Sequence, residues 1–169
     1  GARTIAGGAH ATATPAEHLE AGFVGVIRGE YDQVISTALS LEPQPWLATP
    51  QSPVADYAPM VRDLDDIPLP PWDAMLMEKY NDPFCMGRSV TLLTSRGCPL
   101  ECGFCTIAPF EGKRNYRRRD PKRVCGEIQL LIEKYAPDEI YFDDDTITIN
   151  RKHILALCEE YASRKFGIP

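Results

Sequence analysis

No stretch of the sequence offers 18 consecutive apolar residues, so no membrane-crossing helix is expected. No basic-then-apolar leader of the secretory kind is present either, and the protein is read as cytoplasmic. Histidine is scarce, with only His10, His18 and His153, and no cysteine occurs before Cys85. Acidic residues outnumber basic ones, for a net charge of −6, which argues against nucleic acid as a partner. The one basic block, residues 113–119, is local. Six cysteines would allow three disulfides, but three crowd into eight residues while Cys85, Cys125 and Cys158 are scattered through ordinary sequence. Such usage is that of a reduced protein rather than a secreted scaffold.

What is present is an α/β pattern interrupted by a proline-rich stretch. Near the amino end, Ile5 lies in a short strand and Gly7-Gly8 opens a loop in which the backbone can approach a ligand. Thr14, Pro15 and Glu17 read as N-cap, first-turn proline and capping-box acid of a helix. Residues 23–27 form an apolar strand closed by Arg28-Gly29-Glu30, and residues 31–39 a helix with Val34, Ile35, Ala38 and Leu39 inward. This order fits the closing part of a doubly wound sheet, assigned to residues 1–41. Residues 42–87 read as an extended linker, since eight of the chain's 15 prolines fall between Pro43 and Pro71. Leu64, Ile67, Leu69 and Trp72 are its expected anchors.

Residues 88–169 carry a β–α–β–α pattern, the unit of a parallel barrel. Strand 90–93 leads into the cysteine loop. Asp120-Pro121 starts a helix reaching about Tyr135, with Val124, Ile128, Leu131, Ile132 and Tyr135 on one face. A strand at 139–142 ends in the acids Asp143, Asp144 and Asp145. Asn150 caps a last helix with Ile154, Leu157, Cys158 and Tyr161 inward. Two such units cannot close a barrel, so the sequence is expected to be a fragment with apolar edges and marginal stability on its own.

The loop after the first strand of this region holds Cys98, Cys102 and Cys105 in a C-x3-C-x2-C spacing. Three thiolates so close can wrap one iron–sulfur cluster and leave an iron without a protein ligand. A structural zinc site needs four ligands, and a ferredoxin-type carrier needs four cysteines, usually in a C-x2-C-x2-C run. A thioredoxin-like pair would leave Cys98 unexplained. A zinc-binding interaction module stays open as the non-enzymatic alternative.

The spacing, with the aromatic Phe104 before the last cysteine, resembles the radical S-adenosylmethionine (radical SAM) superfamily. That resemblance implies a 4Fe–4S cluster on Cys98, Cys102 and Cys105. It also implies S-adenosylmethionine chelating the open iron, and reductive cleavage to a 5′-deoxyadenosyl radical. Phe104, Arg117, Arg119, Asp144 and Asp145 become the candidate S-adenosylmethionine contacts. The Arg-x-Arg-Asp-Pro stretch at 117–121 is similar to one that follows the cluster loop in many relatives. The acidic turn at 143–146 stands where many relatives have Gly-Gly-Glu and resembles that of a cobalamin-dependent branch. Gly7, Gly8, His10, Gly29 and Glu30 likewise look like the end of the cobalamin-binding Rossmann-like domain of that branch, which implies cobalamin as a further cofactor. The implied chemistry is methyl transfer, or a radical rearrangement or cyclisation, on a small-molecule or natural-product-like substrate. An electron donor such as flavodoxin or ferredoxin is the implied redox partner. The alternative enzyme is a radical SAM methylthiotransferase acting on RNA or protein, whose Cys-Thr-x-x-x-Pro run resembles residues 105–109 here.

Overall fold

The computed structural model describes residues 2–79, 83, 85–107 and 115–168. The predicted features at Ala108 and Pro109, and the Lys113-Arg114 end of the basic block, lie outside these residues. The chain is mixed α/β and divides into two units. One comprises residues 1–62 and 97–115, the other 63–96 and 116–169. Among the described residues no helix is long and apolar enough to cross a membrane.

In the first unit, β1 (Ile5–Ala6) pairs in parallel with β2 (Gly25–Ile27), and β2 pairs antiparallel with β3 (Leu47–Ala48). All three residues of β2 are buried, as expected of the middle strand. The proline-rich residues 43–62 fold into this unit, and Trp46, Leu47, Ala48, Ala55, Ala58 and Val61 are buried there. Proline tolerates this placement because β3 lies at the edge of its sheet. Residues after Gly8 form a short helix, α1 (Ala9–Ala13), where a loop was expected. The predicted capping box of α2 (Pro15–Glu20) does not form. Thr14 ends α1 as well as starting α2, and its hydroxyl donates back to the His10 carbonyl, leaving nothing for the next turn. Helix α3 covers Ile35–Ser40 only. Val34 and Ala38, one turn apart, face the core, whereas Ile35 and Leu39, rotated about 100° from them, are exposed.

In the second unit, β4 (Ser89–Leu92) and β7 (Glu139–Phe142) pair in parallel, Ser89 opposite Glu139 and Leu92 opposite Phe142. Helix α4 (Pro121–Tyr135) joins them as the crossover, and α5 (Arg151–Arg164) follows β7. The Asp120 carboxylate accepts the Lys122 and Arg123 backbone N–H groups, satisfying two orphan donors of the first turn beside Pro121. Asn150 caps α5 through the His153 N–H. Val124, Ile128 and Leu131 recur at helical spacing and are fully buried with Val90, Leu92, Trp72 and Leu157. Trp72 is an anchor as expected; Leu69 is exposed, as is Cys158, because Leu157 takes the inward direction of that turn. A short antiparallel ladder, β5 (Ser95–Arg96) with β6 (Arg117–Arg118), completes the unit.

Candidate cluster loop and its root

The chain leaves β4 through a densely bonded root. Thr94 and Ser95 are buried, and both spend their donors on the Asp144 carboxylate. The Thr94 N–H lies 3.1 Å from each Asp144 oxygen, its hydroxyl 2.8 Å from Oδ1, and the Ser95 hydroxyl 2.5 Å from Oδ1. On the next strand over, the Asp143 N–H donates to the Leu92 carbonyl at 2.9 Å, which places Asp144 at the C-terminal end of β4. His153, buried on α5, sets Nε2 at 3.5 Å from the Thr94 hydroxyl. Burial, chiefly, and the nearby Arg118 cation push its pKa below the usual histidine value, against the pull of Asp144 and Asp120.

Arg119 secures the same root from the other flank. Its N–H donates to the Thr94 carbonyl at 2.8 Å and its guanidinium to the Leu93 carbonyl at 3.0 Å. The other arm of the guanidinium meets Glu127 at 2.7 Å, and Glu127 is buried. The indole N–H of Trp72 donates to the second Glu127 oxygen at 3.0 Å, so both carboxylate oxygens are engaged. Neither Glu127 nor His153 was singled out from the sequence. A signal existed for Glu127: it falls on the apolar face of α4, among Val124, Ile128 and Leu131.

Beyond Arg96 the chain turns at Gly97, whose φ of +84° lies in the left-handed region that other residues rarely adopt. The three cysteines follow, in the first unit. Cys98 and Cys105 are half-buried and Cys102 is exposed, and none of them is in a disulfide. Between them the Cys105 N–H donates to the Cys102 carbonyl at 3.1 Å. Phe104 is 91 % exposed, making no packed contact that would give it a core role. Among the described residues no three His, Cys, Asp or Glu side chains converge as a ligand group. By donor chemistry the loop fits an iron–sulfur cluster: three soft thiol ligands in non-helical, non-strand backbone, where χ rotations can re-aim each sulfur.

The remaining candidates are placed as follows. Arg117 lies half-buried on β6, and Asp145 is exposed in the turn after β7. In the first unit Gly29 is buried, its N–H donating to the Thr12 hydroxyl at 2.9 Å. Glu30 is buried and accepts the Val61 N–H at 3.0 Å. Gly7 and Gly8 precede α1 after β1, the same end of the sheet at which Gly29 and Glu30 follow β2. His10 is exposed, 3.4 Å from Glu17. An open cavity of about 610 Å³ in this unit is lined by Val24, Leu41, Leu47 and Thr49, toward the opposite end of β2.

No established family profile matches the chain. It is 31% identical over 182 aligned positions to the anaerobic magnesium-protoporphyrin IX monomethyl ester cyclase of Rubrivivax gelatinosus, an alignment covering 98% of this chain and 32% of that protein. It is 39% identical over 98 residues to an uncharacterized methyltransferase of Pyrococcus horikoshii, covering 57% and 20%. To the cytidylyl-2-hydroxyethylphosphonate methyltransferase of Streptomyces wedmorensis it is 37% identical over 117 residues, covering 65% and 21%. The chain thus spans about a third or less of the length of these relatives. Among solved structures, the radical S-adenosylmethionine methyltransferase TsrM from Kitasatospora setae superposes with a TM-score of 0.65 over 99% of this chain and 34% of that one, at 18% identity. That likeness establishes a shared fold. These relatives, together with the C-x3-C-x2-C loop that follows β4, mean that the chain belongs to the radical S-adenosylmethionine superfamily.

Proposed function

We propose that this chain supplies the cluster-binding part of a radical enzyme that methylates or cyclises a small molecule. The observation that carries the reading is the cysteine loop at the carboxyl end of β4, where parallel α/β folds place their chemistry. In this reading Cys98, Cys102 and Cys105 hold a 4Fe–4S cluster by three thiolates. When bound, the cluster and S-adenosylmethionine supply the electron and the 5′-deoxyadenosyl radical, and cobalamin supplies the methyl carrier.

The protein's own part is to bind and orient. Asp145, in the acidic turn after β7, would hold the cofactor ammonium, and Arg117 would hold a carboxylate, the pairing a guanidinium makes best. Residues 1–41 contribute the end of a cobalamin-binding Rossmann-like domain. There Gly7, Gly8 and Gly29 let the backbone approach the ligand, with His10 and Glu30 beside them. Strands β4 and β7 with helices α4 and α5 contribute the first units of a partial barrel, and residues 63–87 lead into them. A flavodoxin or ferredoxin delivers the electron. Two branches of chemistry suit the relatives: the alignment along nearly the whole chain is to a cyclase, while the others named are methyltransferases.

Anaerobic reconstitution of the complete protein tests the reading. About four irons and four sulfides per chain, and reductive cleavage of S-adenosylmethionine that Cys98→Ala abolishes, are the expected results. One zinc without sulfide, or cleavage retained in Cys98→Ala, overturns it. Transfer of label from methyl-labelled S-adenosylmethionine, measured with and without added cobalamin, then separates the methylating branch from the cyclising one.

A further inference from the structure

Asp144 entered as a candidate contact for S-adenosylmethionine, yet its oxygens already serve another purpose. A carboxylate offers about four acceptor positions. Here three donors engage it: the Thr94 N–H, shared between the two oxygens, and the Thr94 and Ser95 hydroxyls, both on Oδ1. The donors are buried, with Thr94 at 0% and Ser95 at 1% exposure, so these charge-assisted bonds are made where water competes least.

The same two residues are held from two further directions. The Thr94 carbonyl accepts the Arg119 N–H, and Ser95 pairs with Arg118 across the β5–β6 ladder. His153 closes behind the Thr94 hydroxyl. Cys98 is only three residues beyond Ser95, through the left-handed turn at Gly97. The strand end from which the chain leaves for its first thiol is therefore held by a carboxylate on the neighbouring strand.

We propose that Asp144 is a positioning residue for the cysteine loop: by gathering the Thr94 and Ser95 donors it preorganises the root from which Cys98 projects. This rests on the cluster reading above. Asparagine at 144 would turn one acceptor into an NH₂ donor facing N–H and O–H donors. The thiols would then have to be ordered at the moment the cluster assembles. The loss expected is that of an outer-shell partner of a metal site, about 10- to 100-fold in cluster retention.

The test uses the complete protein, reconstituted anaerobically as wild type, Asp144→Asn, Ser95→Ala and the double variant. Three quantities are read: iron and sulfide content, the rate of iron loss to a chelator, and affinity for S-adenosylmethionine by equilibrium dialysis of the loaded fraction. The proposal expects iron loss faster by about 10- to 100-fold in Asp144→Asn, with S-adenosylmethionine affinity unchanged in the loaded fraction. Ser95→Ala, a milder change that keeps the carboxylate, should move in the same direction, and the double variant should lose less than the two singles multiplied together. Intact retention with weakened S-adenosylmethionine affinity would make Asp144 a cofactor contact and overturn the proposal. A lowered melting temperature with unchanged iron retention would make it merely structural and also overturn it. If the wild type itself holds no cluster, the cluster reading fails and this inference falls with it. If the wild type loads and Asp144→Asn behaves like it, only this inference fails.

Discussion

Glu127 gives the sharpest energetic expectation. Its carboxylate is buried on α4 and receives two donors, the Arg119 guanidinium at 2.7 Å and the Trp72 indole N–H at 3.0 Å. The Arg119 side chain is itself only 16% exposed, so neither charge is well hydrated. Hydrogen bonds to charged groups contribute about 1.5–3 kcal/mol each, and removing one partner of a buried ion pair costs about 3–5 kcal/mol. In Glu127→Gln, one of the two donors must face an amide NH₂ while the other keeps an acceptor. The expected loss is therefore at the lower end, about 3 kcal/mol, a large share of the 5–15 kcal/mol of a typical domain. Urea unfolding followed by tryptophan fluorescence reads it directly, since Trp72 touches the mutated group. Trp46→Phe removes the signal of the first unit. A loss under about 1 kcal/mol, the size of an exposed ion pair, would refute the argument that this pair is desolvated. Converting the pair together, Arg119→Met with Glu127→Leu, should recover only part of the loss: no unpaired charge remains, but the Trp72 indole N–H and the Leu93 carbonyl lose their partners.

Asp120→Ala removes the acceptor for the Lys122 and Arg123 N–H groups, and α4 should lose about 1 kcal/mol of stability by denaturant titration. Gly87→Ala would set a Cβ 2.8 Å from the Asp138 Cβ, displacing a side chain that accepts the Arg88 N–H; overpacking of about 1–3 kcal/mol is expected from the same titration. His153 has a folded-state pKa below the ordinary 6.5. The unfolded chain therefore binds the proton first, and stability should be intact above about pH 6.5 and fall as the pH drops below it. His153→Gln should flatten that part of the stability profile, and an unchanged slope would remove His153 as its source.

Much of the second unit was legible because its signals are local. Asp120-Pro121 marks the start of α4 by cap chemistry alone, and the Val124, Ile128 and Leu131 spacing shows its buried face. The spacing of Cys98, Cys102 and Cys105 needs no fold to be read, since thiols within eight residues share one loop wherever that loop lies. The first unit was less readable. Thr14 satisfies the preference for an N-cap, but its hydroxyl is taken by a carbonyl of the preceding helix. Ile35 and Leu39 satisfy a helical stripe that the neighbouring strands do not cover. Prolines between 43 and 62 forbid a central strand, and they say nothing about whether the segment packs.

The amino-acid order alone therefore determined the cysteine spacing of the loop, the strand before it and the helices after it, because each depends on residues within a turn or two of one another. Only the tertiary structure decided how the charges beside the end of β4 are used. Arg119 and Asp144 could each have pointed at a cofactor. Parallel pairing of β4 with β7 brings Asp144 to Thr94 and Ser95, about 50 residues away in sequence, and folding α4 back on β4 brings Glu127 to Arg119. Which partner a charged group takes follows from which donors and acceptors are buried beside it, and those neighbours are set by long-range pairing.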